Sequence, residues 1–202
     1  MNQSKLHRLL GLIMMLPLLA WAATGVIFLT KPDYDQAYER LPVKTYPMES
    51  KVQFIPGEKW QEIKLVRSVL GLHLLAKNNE GFRQYDPVTR LPAAAPTTQQ
   101  VSALIGDALH SNPERYGTIE RVDGFTAYTS TGVVITLNWN TLSLNQRGRD
   151  REVIETLYHI HYLQWTQWEG VNLALGILGL IGLLSLTLLG LSTYLARGRS
   201  SA

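Results

Sequence analysis

Apolar positions crowd into two long runs, one at each end of the chain, and alternate with polar positions in between. The first run extends over 21 residues, from Leu9 to Leu29, behind a basic start that holds Lys5, His7 and Arg8. As a helix it would reach about 31 Å, enough to cross a hydrocarbon core. The second run carries no charged residue over the 26 positions from Val171 to Ala196. Lipid offers no water to satisfy backbone groups, so both runs are expected to be helical. Pro17 is expected to kink the first helix, which membrane helices tolerate. A cleaved signal peptide competes for the first run, because Ala20-Trp21-Ala22 has the small-x-small form of a cleavage site. The run continues through Val26, Ile27, Phe28 and Leu29, which favours an uncleaved transmembrane helix.

The middle of the chain changes period. Residues 31–61 contain Pro32, Pro42, Pro47 and Pro56 and read as an extended connection, with a short strand around Val52–Ile55. Strands are expected over 64–70 and 73–77, broken at Gly71, with a hairpin through Asn78–Gly81 into Phe82–Tyr85. Thr97 or Thr98 caps a predicted helix to about His110, whose apolar face is Val101, Leu104, Ile105 and Ala108. Asn112-Pro113 ends it. Further strands follow over 118–122, 126–129, 133–137 and 142–145. This pattern predicts a small α+β unit with a single core. Pro92–Pro96 reads as a loop. His73 and His110 stand isolated and read as structural, and the Asp and Glu residues as solvated surface.

The stretch LYHIHYLQWTQWEG, residues 157–170, joins this domain to the second apolar run. A helix is expected over 150–168 at the membrane surface. One straight helix from Leu157 to Leu195 would measure about 58 Å, too long for the hydrocarbon core, so a bend is expected near Gly170. His159 and His161 would project about 200° apart, so at most one faces a given site. In the first helix His7, Gly11, Leu18, Ala22 and Gly25 share a face, which turns His7 toward a helix partner or leaves it snorkelling at the interface. In the second, Asn172, Gly176, Gly179, Gly182, Gly190 and Thr193 fall within one sector. That small-residue stripe suits packing against the first helix, a planar cofactor or a second copy of the chain.

Composition narrows the possibilities. There are no cysteines, hence no disulfide and no thiolate chemistry. The net charge of +3 marks the helix ends, through Lys5, Arg8, Arg197 and Arg199, and not a nucleic-acid surface. Both termini are therefore expected in the cytoplasm of a bacterial inner membrane, with the central domain in the periplasm. Trp165, Trp168 and Tyr34 suit the outer interfacial belt and Tyr194 the inner one. No phosphate loop, zinc-protease motif, nucleophile elbow or helical carboxylate pair is present, so no catalytic residue is assigned.

Three pieces resemble the PepSY-associated transmembrane proteins. HRLLGL with WAATGV, at His7–Leu12 and Trp21–Val26, is similar to the family's opening helix. Asp86-Pro87-Val88-Thr89 is similar to the Asp-Pro-x-Thr-Gly turn of PepSY domains, with Arg90 in place of the glycine. LYHIHYL at Leu157–Leu163 is similar to a Leu-His-x-Leu-His entry to a later helix. The resemblance implies an α+β membrane protein, in which two transmembrane helices flank a periplasmic PepSY-like α+β domain. Its expected parts are a transmembrane helix over 1–30, the connection over 31–61 and the domain over 62–149. An interfacial helix over 150–169, a second transmembrane helix over 170–196 and a cytoplasmic tail over 197–202 complete it. Larger members have about four helices, and some are reductases that hold b-type haem through helix histidines. By that resemblance haem b is the implied cofactor, with His7, His159 and His161 as candidate iron ligands. Gly11, Gly25, Gly176, Gly179 and Gly182 are the candidate helix-packing positions.

His7 belongs to the inner boundary and the histidine pair to the outer one, so one chain does not supply two axial ligands from both ends. A homodimer or other membrane subunits would complete the iron's coordination, with membrane lipid as the surroundings and no nucleic-acid partner. The alternative expectation is a membrane-anchored binding or regulatory module, or an accessory assembly subunit, without cofactor.

Overall fold

A computed structural model of the chain describes residues 3–32, 34–48 and 60–199. The strand expected around 52–55 lies outside the described residues. Two compact units are present, Met1–Tyr34 with Glu152–Ala202, and Asp35–Arg151.

The first unit is built on two long helices, α1 (Gln3–Thr30) and α6 (Glu169–Arg199). Their spans Ser4–Thr30 and Glu169–Ala196 both have a mean hydropathy of 2.3. Each is long enough to cross a bilayer, α1 being about 42 Å and α6 about 46 Å at the α-helical rise. They pack on each other through the glycines of α6. A Cβ built on Gly182 would lie 2.7 Å from Met14 Sδ, and one on Gly179 would lie 3.3 Å from the Trp21 ring and 2.9 Å from Leu163. Gly11 of α1 faces Leu186 in turn. Close backbone approach of this kind replaces the hydrophobic drive that lipid removes.

The second unit holds two antiparallel sheets. One has the order β1-β2-β3 (Glu62–Ser68, Gly71–Asn78, Gly81–Tyr85). The other has the order β4-β5-β6-β7 (Ile119–Asp123, Thr126–Thr129, Val134–Asn138, Ser143–Arg147). Gly71 and Gly81 sit at φ +106° and +115° in the hairpin turns, a backbone conformation that costs other residues. Between the sheets in sequence lies α3 (Thr98–Leu109), opened by a capping box of Thr97 and Gln100. Its buried face, Val101, Leu104, Ile105, Ala108 and Leu109, joins Ile135, Leu137 and Leu75 in one core. Truncating Leu104 to Ala there would cost about 2–5 kcal/mol.

Two expectations need correction. Pro113 ends α3 but also opens a one-turn helix, α4 (Pro113–Tyr116), capped by Asn112, because proline suits a first helical position. The acids are not all solvated. Asp150 pairs at 2.8 Å with Arg115, whose side chain is only 6 % exposed, and Glu39 lies 3.9 Å from the same guanidinium. Burial alone would raise the Asp150 carboxyl, but the Arg115 hydrogen bond, the Arg151 N–H and the Arg115 charge together outweigh it and hold it below the usual range. Tyr116, fully buried, donates to Glu39 and is pushed up to about 12 by burial, then by that carboxylate. Gln146 donates to the carbonyls of Gln36, Ala37 and Glu39, so this cluster ties the end of α2 (Tyr34–Ala37) and the residues just after it to β7.

Candidate functional site

The histidine segment folds as α5 (Arg149–His161), which stops seven residues short of the expected end at Trp168. The reason is local. Leu163 adopts φ +55°, a left-handed conformation that closes the helix. The Leu163 N–H donates to Ile160 O and the Gln164 N–H to His159 O, the paired bonds of a Schellman motif. A leucine there costs about 1–2 kcal/mol of backbone strain. Burial offsets it, for Leu163 is 4 % exposed and lies over Gly179. Residues 162–168 form a connector, not a bent continuation. Asn172 of α6 clamps it, accepting from the Thr166 N–H and hydroxyl and donating to the Thr166 carbonyl at 2.8 Å.

One face of α1 meets the end of α5. Trp21, Thr24 and Phe28, spaced i, i+3 and i+7, share that face. Trp21 Nε1 donates to the His161 carbonyl at 2.6 Å, satisfying a helix-end acceptor that would otherwise be orphaned. Phe28 stacks on Tyr158 at 4.5 Å and meets the His161 ring edge-on at 5.1 Å. Thr24, 3 % exposed, places its hydroxyl 2.7 Å from His161 Nδ1.

That contact couples the His161 tautomer to the proton of the Thr24 hydroxyl. Thr24 Oγ1 has one proton, and its shortest bond, 2.6 Å, donates to Ala20 O. With that proton on Ala20, the oxygen is free to accept from a protonated His161 Nδ1. Nε2 is left with its lone pair and has no protein partner among the described residues. A hydrogen bond that fixes one ring nitrogen while the other keeps its lone pair is the arrangement of a metal-ligating histidine. His159 Nδ1 likewise donates to Gln164 Oε1 at 2.9 Å, in an exposed position.

Both histidines border one cavity of about 1210 Å³. Two residues apart on a helix they were expected to face apart; the chain reversal at Leu163 brings the cavity wall round to both. Its sides are apolar, from Trp21, Leu173, Ile177, Leu180 and Leu183, and its rim is polar. Gly176 also lines it, 3.9 Å from the Tyr162 carbonyl when given a Cβ.

His7 is elsewhere. Its Cε1 would lie 3.3 Å from a Cβ on Gly190, and its Nδ1 is buried with no hydrogen-bond partner among the described residues. Seventeen residues of α1 separate it from Thr24, about 25 Å along the axis. The helix facing His7 is α6 of the same chain. Gly179, Gly182 and Gly190 receive Trp21, Leu163, Met14 and His7, so the stripe is filled by the protein's own side chains. Gly25 has nothing within 4 Å of a built Cβ. Among the described residues no three His, Asp or Glu side chains gather as a metal site.

The family model of the PepSY-associated TM region matches residues 4–201. The chain belongs to that family. It is a PepSY-type membrane protein with two apolar helices flanking an α+β region of two antiparallel sheets. No curated protein and no solved structure matches it. The PepSY-type turn after β3 has the form its sequence suggests. Asp86 Oδ1 accepts from the Val88 and Thr89 N–H groups and from the Thr89 hydroxyl, and the Thr89 bonds, then Val88, hold the carboxyl below its usual range. Arg90, where the family motif has glycine, sits at φ +59°.

Sequence reasoning singled out the histidines but missed Trp21 and Thr24 as their partners. The available signal was a threonine with two aromatics on one face of an otherwise aliphatic helix.

Proposed function

We propose that the chain is an inner-membrane electron-transfer protein that binds b-type haem through His161. It acts as a homodimer or as a subunit of a membrane reductase or oxidase complex. One observation supports this reading: the Thr24 hydroxyl engages His161 Nδ1 at 2.7 Å, and His161 borders an apolar-walled cavity with no protein partner for Nε2 among the described residues. His161 would hold the iron of such a group, and His159 borders the same cavity as a second candidate. Ligation at His7 would require a further chain, since its ring is packed on Gly190. A bound haem would supply one-electron exchange. The chain's own part is to orient the imidazole through Thr24, to hold the end of α5 through Trp21 and to exclude water with Leu173, Ile177 and Leu180.

Basic residues outside both apolar spans support cytoplasmic termini and a periplasmic domain. Reporter fusions at both termini and within residues 62–149 test this, and a periplasmic terminus would refute it. Haem and iron content of purified wild type and His161→Ala test the ligand. Stoichiometric haem lost in the variant is the expected result, and an iron-free wild type from haem-replete cells would overturn the reading.

A second reading, an anchored binding or regulatory module without cofactor, is supported by a separate cavity in the domain. It measures about 500 Å³ and lies between the edge strands β1 and β7, walled by Leu41, Val43, Val66 and Leu144 with Arg40 at hand. Under that reading histidine variants would be silent and substitutions at Arg40 would not.

A further inference from the structure

We propose that the outer face of β6 and β7 is a binding cleft for a neutral oligosaccharide. In β6, Ile135 and Leu137 enter the core, so the alternating residues Thr136 and Asn138 face outward. In register they stand opposite Asn145 and Ser143 of β7. With Asn140 from the connecting turn and the aromatics Phe125 and Trp139, they line a cleft of about 780 Å³ closed on one side by Ala93 and Ala95. That volume falls within the usual range of ligand sites.

The chemistry of the lining selects the ligand. No Asp, Glu, Lys or Arg lines the cleft, in a chain that is 17 % charged. An anionic or cationic ligand would find no counter-charge there. Carboxamides and hydroxyls both donate and accept, as vicinal sugar hydroxyls do. The amides of Asn140 and Asn145 make no protein hydrogen bond among the described residues. Trp139 also keeps a buried indole N–H with no acceptor among them. Phe125, 39 % exposed, and the Trp139 ring present apolar faces against which the C–H face of a pyranose packs.

The platform is held before any ligand arrives. The Trp139 carbonyl accepts from Gln84 Nε2, and Gln84 Oε1 in turn accepts from Nδ1 of the buried His73, whose ring meets the Trp139 ring edge-on at 5.5 Å. The Phe125 carbonyl accepts from the Leu137 N–H at 2.9 Å. Binding to this face would therefore cost little ordering.

The test uses the full chain in lipid nanodiscs prepared without glycosidic detergent, with chitotetraose and maltotetraose as probes in ligand-observed saturation-transfer NMR. Saturable transfer from at least one probe is expected, with affinity lowered about tenfold or more in Asn140→Ala/Asn145→Leu. Both positions are exposed, so the double variant keeps the fold, which circular dichroism verifies. No transfer from either probe at millimolar concentration would overturn the proposal, as would equal binding by the double variant.

Discussion

His73 in the domain and His161 in the helical unit each meet a hydroxyl, at 2.6 Å and 2.7 Å. The domain uses up its histidine. His73 is 6 % exposed, with Nε2 on Ser68 and Nδ1 on Gln84. Burial pushes its pKa down, against the smaller opposing effect of the Gln84 bond. The helical unit leaves one nitrogen over. His161 spends Nδ1 on Thr24 and keeps Nε2 beside a cavity. The first histidine is built into the core by both nitrogens, whereas the second is held by one, which is what the proposed ligand role of His161 requires.

The largest effect should come from removing His73. His73→Ala leaves Ser68 and Gln84 without their buried partner and opens a void, costing about 3 kcal/mol in urea denaturation. A loss below about 0.5 kcal/mol would break the comparison, because it would mean that the two bonds do not support the fold. The same variant should leave haem content unchanged.

Thr24→Val tests the other half. It removes the hydroxyl that engages His161 Nδ1 while keeping the side-chain shape. Haem affinity should fall about 10–100-fold, and Thr24→Ser should restore it. Equal affinity in Thr24→Val, measured by haem titration, would detach the tautomer argument from ligand binding.

Left-handed backbone occurs at one buried and one exposed non-glycine position in each region among the described residues, Leu163 and Lys31 in the helical unit and Leu142 and Arg90 in the domain. Leu163 at φ +55° is buried, whereas Arg90 at φ +59° is exposed. Leu163→Gly relieves strain but loses burial, for a net cost of about 1 kcal/mol. Arg90→Gly only relieves strain and should gain about 0.5–1 kcal/mol. Thermal unfolding that gave both substitutions the same sign would contradict this assignment of burial and strain.

The smallest effect is the pH dependence. The folded pKa of His73 lies below its ordinary value of 6.5, so the unfolded chain takes up the proton first on acidification. Its contribution is fully present above pH 6.5 and falls away progressively below it. His73→Gln should flatten the stability curve below pH 6.5, and an unchanged slope would remove His73 from the acid response.

Local signals carried most of the fold. Alternation gave the strand faces, Asn78–Gly81 the hairpin, and Thr97 or Thr98 the start of α3, because turns and caps are specified within four or five residues. The end of α5 was not legible. Nothing local marks Leu163 for a left-handed conformation, and the burial that offsets its strain comes from Gly179, on another helix. Thr24 and His161 are 137 residues apart, so a periodicity argument can place each on a face but cannot pair them. Asp150 and Glu39 looked like surface for the same reason, since their shared Arg115 is distant in sequence.

The most direct test of His161 as the proposed haem ligand is a reduced-minus-oxidised absorption spectrum. It should be recorded on purified wild type beside His161→Ala, His159→Ala and His7→Ala, from haem-replete cells. The account predicts a Soret band with sharp reduced α and β bands in wild type, lost in His161→Ala. A flat visible spectrum in wild type, or an undiminished one in His161→Ala, would contradict it.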